Sequence, residues 1–99
     1  MINKKLHNDC PIAKVALLLS DPWTMLIIRD LLKKQMRFSD LEKSLNGISS
    51  RTLTIKIKQL EIENIIEKKD LHYYSITSKG TKFKKILRAM ADYGKSFNK

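Results

Sequence analysis

The stretch from Met36 to Lys69 constrains the fold most, because helix signals on either side of a glycine turn are bracketed by strand composition. Arg37-Phe38-Ser39-Asp40-Leu41-Glu42 opens a short helix, with Ser39 as its expected cap and Glu42 three residues on to complete a capping box. Asn46-Gly47 ends that helix with residues that tolerate a left-handed conformation, and Ser49 caps the next one. The second helix is expected to run to about Asn64, with Leu53, Ile57 and Leu60 on one stripe. At roughly 100° per residue, Arg51, Ile55, Lys58 and Ile62 point away from the stripe and Thr54 lies on its flank. Two short helices joined by a glycine turn, the second exposing basic and small polar groups, form a rigid rod that fits a DNA major groove.

The flanks complete an architecture. Pro11 suits the first position of a helix in which Ile12, Val15, Ala16 and Leu19 recur at helical spacing. Ser20-Asp21-Pro22 breaks it and starts another, with Asp21 as cap, running to about Lys34. Trp23, Leu26, Ile27, Leu31 and Leu32 make that helix apolar over much of its circumference, which marks it as central and buried. Ile65 to Lys69 and Tyr73 to Ile76 have strand composition, with Asp70-Leu71-His72 as the turn between them. Thr77 caps a last helix to about Phe97, striped by Phe83, Ile86, Leu87, Met90, Tyr93, Gly94 and Phe97. Met1 to Asn8 is polar and expected to fray. The expected fold is mainly α with a small β-hairpin: a winged helix-turn-helix with an extra helix at each end. One domain spans residues 1–99, with N-terminal helices over 10–34, the helix-turn-helix and wing over 36–76, and a C-terminal dimerisation helix over 77–97.

Composition narrows the partners. The net charge is +10, from 20 Lys+Arg against 10 Asp+Glu, so nucleic acid is the leading partner and an anionic membrane surface the second. The excess is concentrated late: Lys68, Lys69, Lys79, Lys82, Lys84, Lys85, Arg88, Lys95 and Lys99 face only Asp70 and Asp92. Lysines decorating any solvated face are the bland alternative for each of these. Cys10 is the single cysteine, which excludes an intrachain disulfide and fits a reducing cytoplasm. The apolar runs Val15–Leu19 and Met25–Ile28 are too short to span a bilayer, and Lys14 with His7-Asn8-Asp9 spoils a signal peptide. The chain is therefore expected in the cytoplasm, on the nucleoid when bound to DNA, with no membrane association. His7 and His72 with one cysteine make no metal set, and neither a phosphate-binding glycine loop nor a nucleophile elbow is present. No catalytic constellation is visible and no cofactor is implied, so the chain is not expected to be an enzyme.

Five pieces in order resemble one family. Cys10-Pro11, Trp23-Thr24-Met25-Leu26-Ile27-Ile28-Arg29-Asp30-Leu31, Arg37-Phe38-Ser39-Asp40-Leu41, Gly47-Ile48-Ser49-Ser50-Arg51-Thr52-Leu53 and Tyr74-Ser75-Ile76-Thr77-Ser78-Lys79-Gly80 resemble the HxlR-type regulators, relatives of the MarR family. The likeness covers Cys10 to Gly94. It implies a prokaryotic, homodimeric transcription factor on a pseudo-palindromic operator, with recognition helices in successive major grooves. The first and last helices would pair across the twofold through Ile12, Val15, Phe83, Ile86, Leu87, Met90, Tyr93 and Phe97. The apolar stripe of the last helix independently asks for a cover, either a second subunit or further core packing. Many members carry a cysteine at the position of Cys10, and some use it to sense oxidants or quinone-like electrophiles. The chain departs from the pattern in three places. Asp21-Pro22 replaces the usual Gly-Lys, the wing is short and lacks its common proline, and Ile55 stands where polar residues are usual.

The candidate DNA contacts follow from both lines. Arg51 can bond guanine O6 and N7 together, or hold a phosphate. Ser49, Ser50 and Thr54 would bond phosphates or base edges, with Ser49 alternatively spent on capping. Ile55 would meet a thymine methyl or pack on a neighbour. Lys58 is a phosphate contact, and Lys68, Lys69 and His72 would lie over the adjacent groove unless they are solvated hairpin charges. Arg37 would clamp a phosphate or pair with an acid. Cys10, at a helix start that favours a thiolate, is either an oxidant or small-molecule sensor or a small buried residue closing the turn. Two other classes remain open: a winged-helix protein-interaction module, and a non-specific DNA-coating protein using the Lys-rich last helix.

Overall fold

The structure, a computed structural model, describes residues 10–98; the N-terminal Met1–Asn8 expectation lies outside them. Its elements are α1 (Pro11–Leu18), α2 (Pro22–Lys33), β1 (Met36–Arg37), α3 (Phe38–Ser44), α4 (Ser50–Ile62), β2 (Ile66–Lys68), β3 (Tyr73–Ile76), α5 (Ser78–Thr81) and α6 (Phe83–Lys95), closed by a 3₁₀ turn at Ser96–Asn98. This is a winged helix-turn-helix, mostly helical with a three-stranded antiparallel sheet in the order β1-β3-β2.

α2 is the hub. Asp21 caps it by accepting the Thr24 N–H at 3.0 Å, Pro22 occupies its first position, and it buries Thr24, Ile27, Ile28, Asp30 and Leu31. Leu41 and Leu45 from the α3 region, Leu53, Ile57 and Leu60 of α4, Ile65, Ile66 and Phe83 complete the core around it. α1 meets α2 at a bend of 88° and packs Val15 and Leu18 on the core's edge, although none of its residues is fully buried. Among the described residues no single helix is long and apolar enough to cross a membrane.

Asp30 is a buried charge with its partners in place. Its carboxylate accepts from Ser44 Oγ at 2.6 Å and from Arg29 Nε at 3.0 Å, so it ties the end of α3 to α2.

The turn between α3 and α4 is a four-residue reversal in which Ile48 N–H returns to Leu45 O at 2.9 Å. Its third residue, Gly47, has φ +100, a conformation glycine adopts at no steric cost. α4 ends in a Schellman motif: Ile65 N–H reaches Leu60 O at 3.0 Å, Asn64 N–H reaches Glu61 O at 3.0 Å, and Asn64 itself is left-handed at φ 61. Lys79 Nζ donates to Glu63 O at 2.8 Å, placing a cation at the negative end of α4.

Two elements depart from the expectations. The cap of α3 is not the Ser39–Glu42 box. Strand pairing holds Arg37 extended, the helix starts at Phe38, and Asp40 Oδ2 accepts the Arg37 N–H at 3.0 Å. The last helix is also not continuous from Thr77. It tightens at Lys82, whose N–H reaches Lys79 O at 3.4 Å, which lets Gly80 stay against the Ile65 carbonyl while Phe83 enters the core. Thr77 does cap this segment, accepting the Gly80 N–H at 3.0 Å. At Gly80 a Cβ would collide with the Ile65 carbonyl oxygen and come within 2.8 Å of Ile76 Cδ1, so only glycine fits this crossing.

The partner-facing expectation is also split. Phe83 is buried in its own chain's core, and Leu87 and Val15 pack against that core, because α6 leans on α2 over its first turns. Ile12, Ile86, Met90, Tyr93 and Phe97 stay exposed, with Tyr93 and Phe97 meeting edge to face at 5.2 Å.

Asp21 also joins α2 to α4 through Lys56, whose Nζ lies 2.7 Å from Asp21 Oδ2. Burial opposes ionisation of this carboxyl, but the hydrogen bond from Lys56, those from the Thr24 amide and hydroxyl, and the Lys56 charge together hold its pKa below the ordinary 3.8. A depressed folded pKa means the stabilisation is fully present above pH 3.8 and is lost as pH falls through the lower folded value. Asp21→Asn retains a capping acceptor without the charge. The Tm advantage of the wild type over D21N should therefore stand at neutral pH and shrink on acidification to about pH 2. A gap that does not vary with pH would contradict the ion pair.

Candidate nucleic-acid interface

α4 is held by one face, which decides what the other can do. With Leu53, Ile57 and Leu60 buried, Arg51, Thr54, Ile55 and Lys58 are exposed on the opposite side. Arg51 and Lys58 have no ion-pair partner among the described residues. Lys56, one position from the core stripe, is instead turned inward to Asp21. Sequence reasoning passed over Lys56 because its role depends on a residue thirty-five positions away.

The hydroxyls of this helix are less free than their positions suggest. Ser49 Oγ accepts the Thr52 N–H at 3.0 Å and donates to Thr52 Oγ1 at 2.9 Å. Ser50 Oγ donates to Glu42 Oε2 at 2.5 Å, and Thr54 Oγ1 donates to the Ser50 carbonyl at 2.8 Å. Each hydroxyl proton is already engaged, so these three side chains turn acceptor lone pairs outward. Phosphates accept and do not donate. That leaves Arg51 and Lys58 as the charged phosphate donors on the exposed face of α4.

The wing stands beside this helix and is braced by aromatic rings. Antiparallel pairing sets Arg37 opposite Tyr73 and Lys68 opposite Tyr74. The Arg37 guanidinium sits 5.0 Å from the Tyr73 ring centre, and Lys68 Nζ 5.6 Å from that of Tyr74. The turn is fixed by Asp70 Oδ1, which accepts the His72 N–H at 3.0 Å, and by Lys69 N–H to Tyr73 O at 2.8 Å. The His72 amide, foremost, holds the Asp70 carboxyl below its usual range. Arg37, Lys68 and His72 thereby line one shallow cleft between wing and α3, together with Ser39, Phe38, Leu71 and Tyr74. Lys69 is exposed and does not line it. Phe38, Ser39, Leu71 and Tyr74 are members that the sequence pattern did not place at the interface, Ser39 being expected only as a helix cap. Leu71, 82% exposed, is an apolar tip on a basic hairpin, and its place in an otherwise polar turn was the available signal.

Cys10 occupies the cap position of α1, half-buried and making no side-chain capping bond. Close by, Pro11, Ile12, Val15, Ala16 and Ile86 line an apolar groove that runs towards the exposed face of α6. Among the described residues no group of three His, Cys, Asp or Glu side chains could hold a metal.

Comparison with known proteins agrees with this geometry. The chain is 37% identical over 92 residues to the uncharacterized HTH-type transcriptional regulator sll1512 of Synechocystis sp., an alignment covering 86% of this chain and 67% of the relative. It is 30% identical over 98 residues to the HTH-type transcriptional regulator YodB of Bacillus subtilis, covering 92% and 88% respectively. The crystal structure of quinone-bound YodB superposes with a TM-score of 0.81 at 28% identity, over 88% of this chain and 99% of that one. The model of the HxlR-like helix-turn-helix family matches residues 18–99. With the winged helix, the outward Arg51 and Lys58 and this match in place, the chain belongs to the HxlR-like helix-turn-helix family of transcriptional regulators.

Proposed function

We propose that the chain is a sequence-specific regulator that binds a pseudo-palindromic operator as a homodimer, with α4 in the major groove and the wing over the neighbouring backbone. The observation that carries this is the exposed face of α4. Two cations without an ion-pair partner among the described residues, and a row of acceptors, lie on a helix whose rotation is fixed by three buried residues. Arg51 lies in the first turn and Lys58 two turns later, so one reaches base edges while the other follows the phosphates. Arg37, Lys68 and Lys69 extend the positive surface beyond the helix, with the His72 ring beside Arg37 and Lys68 in the wing cleft. Ile55, 44% exposed between Arg51 and Lys58, supplies an apolar contact for a thymine methyl.

The dimer rests on the uncovered apolar strip. Ile12, Ile86, Met90, Tyr93 and Phe97 are large apolar side chains left exposed, with Ile12 and Ile86 lining one groove, and an apolar surface of this kind asks for a cover. A twofold that pairs α1 and α6 with their copies would cover it and set two α4 helices about one DNA turn apart. The exposed lysines of α6 also suit non-specific coating of DNA. Directed donors and acceptors on α4 favour the specific reading.

The effector is an electrophile or oxidant acting at Cys10, next to this dimer face. Similarity to YodB, whose structure is quinone-bound, supports the assignment. The thiolate would add to a quinone ring carbon, the carbonyl oxygen taking up the electron pair and then a proton. No second thiol in the chain is available, so any disulfide would join two chains or a small thiol.

Two outcomes are expected. Arg51→Ala should cost about 1–3 kcal/mol on a duplex selected by the wild type and far less on a scrambled one, read by fluorescence anisotropy. Equal weakening on both would make Arg51 a phosphate contact. Cys10→Ser should hold the selected duplex when benzoquinone or diamide is added, whereas the wild type releases it; release from both would exclude Cys10 as the sensor.

A further inference from the structure

Glu42 is an acid bonded to the first residue of α4, and the capping-box role expected of it from the sequence is not the one it takes. It sits on α3, half-buried, and its Oε2 accepts from Ser50 Oγ at 2.5 Å. Ser50 is the first residue of α4, a helix of 13 residues. A carboxylate is therefore pinned at the end of the recognition helix where unpaired amides carry partial positive charge. That end of a helix is where a phosphate is ordinarily held. Here it is already complemented from within, by Glu42 through Ser50 and by Ser49 on the Thr52 amide.

We propose that Glu42 is a specificity-determining residue of the DNA interface: its carboxylate keeps phosphate away from the start of α4 and accepts a hydrogen bond from a cytosine amino group. This rests on the reading of α4 as the groove-entering helix. An ionised carboxylate only accepts, and one of its two oxygens is engaged by Ser50. In the major groove the complementary donor is the N4 amino group of cytosine, with adenine N6 the nearest competitor. Phosphate oxygens offer no donor and are repelled. Arg51, the next residue along from Ser50, only donates and suits a guanine. The start of α4 thus carries an acceptor from α3 at Ser50 and, one residue further along the helix, a donor at Arg51. Such a pair distinguishes a groove edge that carries both an amino group and carbonyl acceptors from a uniformly negative backbone. The negative charge reduces affinity for DNA in general and spends that loss on discrimination.

The test uses the full chain and a duplex enriched from a random pool by the wild type. Wild type, Glu42→Gln and Glu42→Ala are titrated by anisotropy, across a salt series, onto that duplex, onto its single-base-pair variants and onto a scrambled duplex. Glu42→Gln keeps an acceptor for Ser50, so thermal melting serves as the control for folding. The expected result is that both variants bind the scrambled duplex several-fold tighter, with a steeper salt dependence. Preference for C·G at one base pair should fall about tenfold, with glutamine moving it towards A·T. Unchanged salt slope and base preference in Glu42→Gln would overturn the proposal and leave Glu42 as a positioning residue for Ser50. A wild type that does not discriminate selected from scrambled DNA would overturn it through the groove reading itself, an outcome visible without either variant.

Discussion

Everything at the recognition surface depends on the burial of Leu53, Ile57 and Leu60 in the core organised by Ile27, Ile28 and Leu31 of α2. Each buried aliphatic side chain contributes about 1.5–3 kcal/mol relative to exposure. Rotating α4 to present another face would lose that burial and drive Arg51 or Lys58 into an apolar interior, where an unpaired cation is costly. The helix therefore has one stable rotation. The Gly47 turn and the Schellman end at Asn64 fix where it begins and stops, so its outward residues are set before any DNA arrives.

The same helix divides its cations between two tasks. Lys56 is inward, paired with the Asp21 carboxylate that caps α2, and it fastens α4 to the hub from the side. Arg51 and Lys58 are outward and, among the described residues, unpaired, with their charge available to a polyanion. Lys79 belongs to the structural group as well, spent on the Glu63 carbonyl, so the basic tail of the sequence is not one uniform footprint. On the wing, Arg37 and Lys68 rest against tyrosine rings set opposite them by strand register. Such bracing lowers the rotamer entropy that these side chains would otherwise lose on meeting a phosphate.

Much of the fold was legible from local chemistry. The stripe at Leu53, Ile57 and Leu60, the caps at Asp21, Ser49 and Thr77, and the hairpin turn at Asp70 to His72 all follow from residue types at fixed offsets. The start of α3 was misplaced because Asp40 and Glu42 each stand three residues after a possible cap, and only pairing of β1 with β3 selects Arg37. Phe83 shows a second limit: periodicity identifies an apolar face but not which body covers it, and the first turns of α6 are covered by the chain itself. At the site, position alone placed Arg51 and Lys58 outward. It did not reveal that the Ser49, Ser50 and Thr54 protons are engaged, since Thr52, Glu42 and the Ser50 carbonyl accept them only in the folded geometry. Asp30 bonded to Ser44 was likewise hidden, a long-range pair without a local signature.

The most direct measurement is the stoichiometry and footprint of the reduced protein on its selected duplex, by sedimentation and hydroxyl-radical protection across a salt series. The expected result is two chains per duplex, with two protected half-sites centred about 34–36 Å apart on one face, and binding at least about 10³-fold tighter than to a scrambled duplex. A single chain on a single patch, or equal and steeply salt-dependent binding to both duplexes, would contradict a dimeric, sequence-reading regulator.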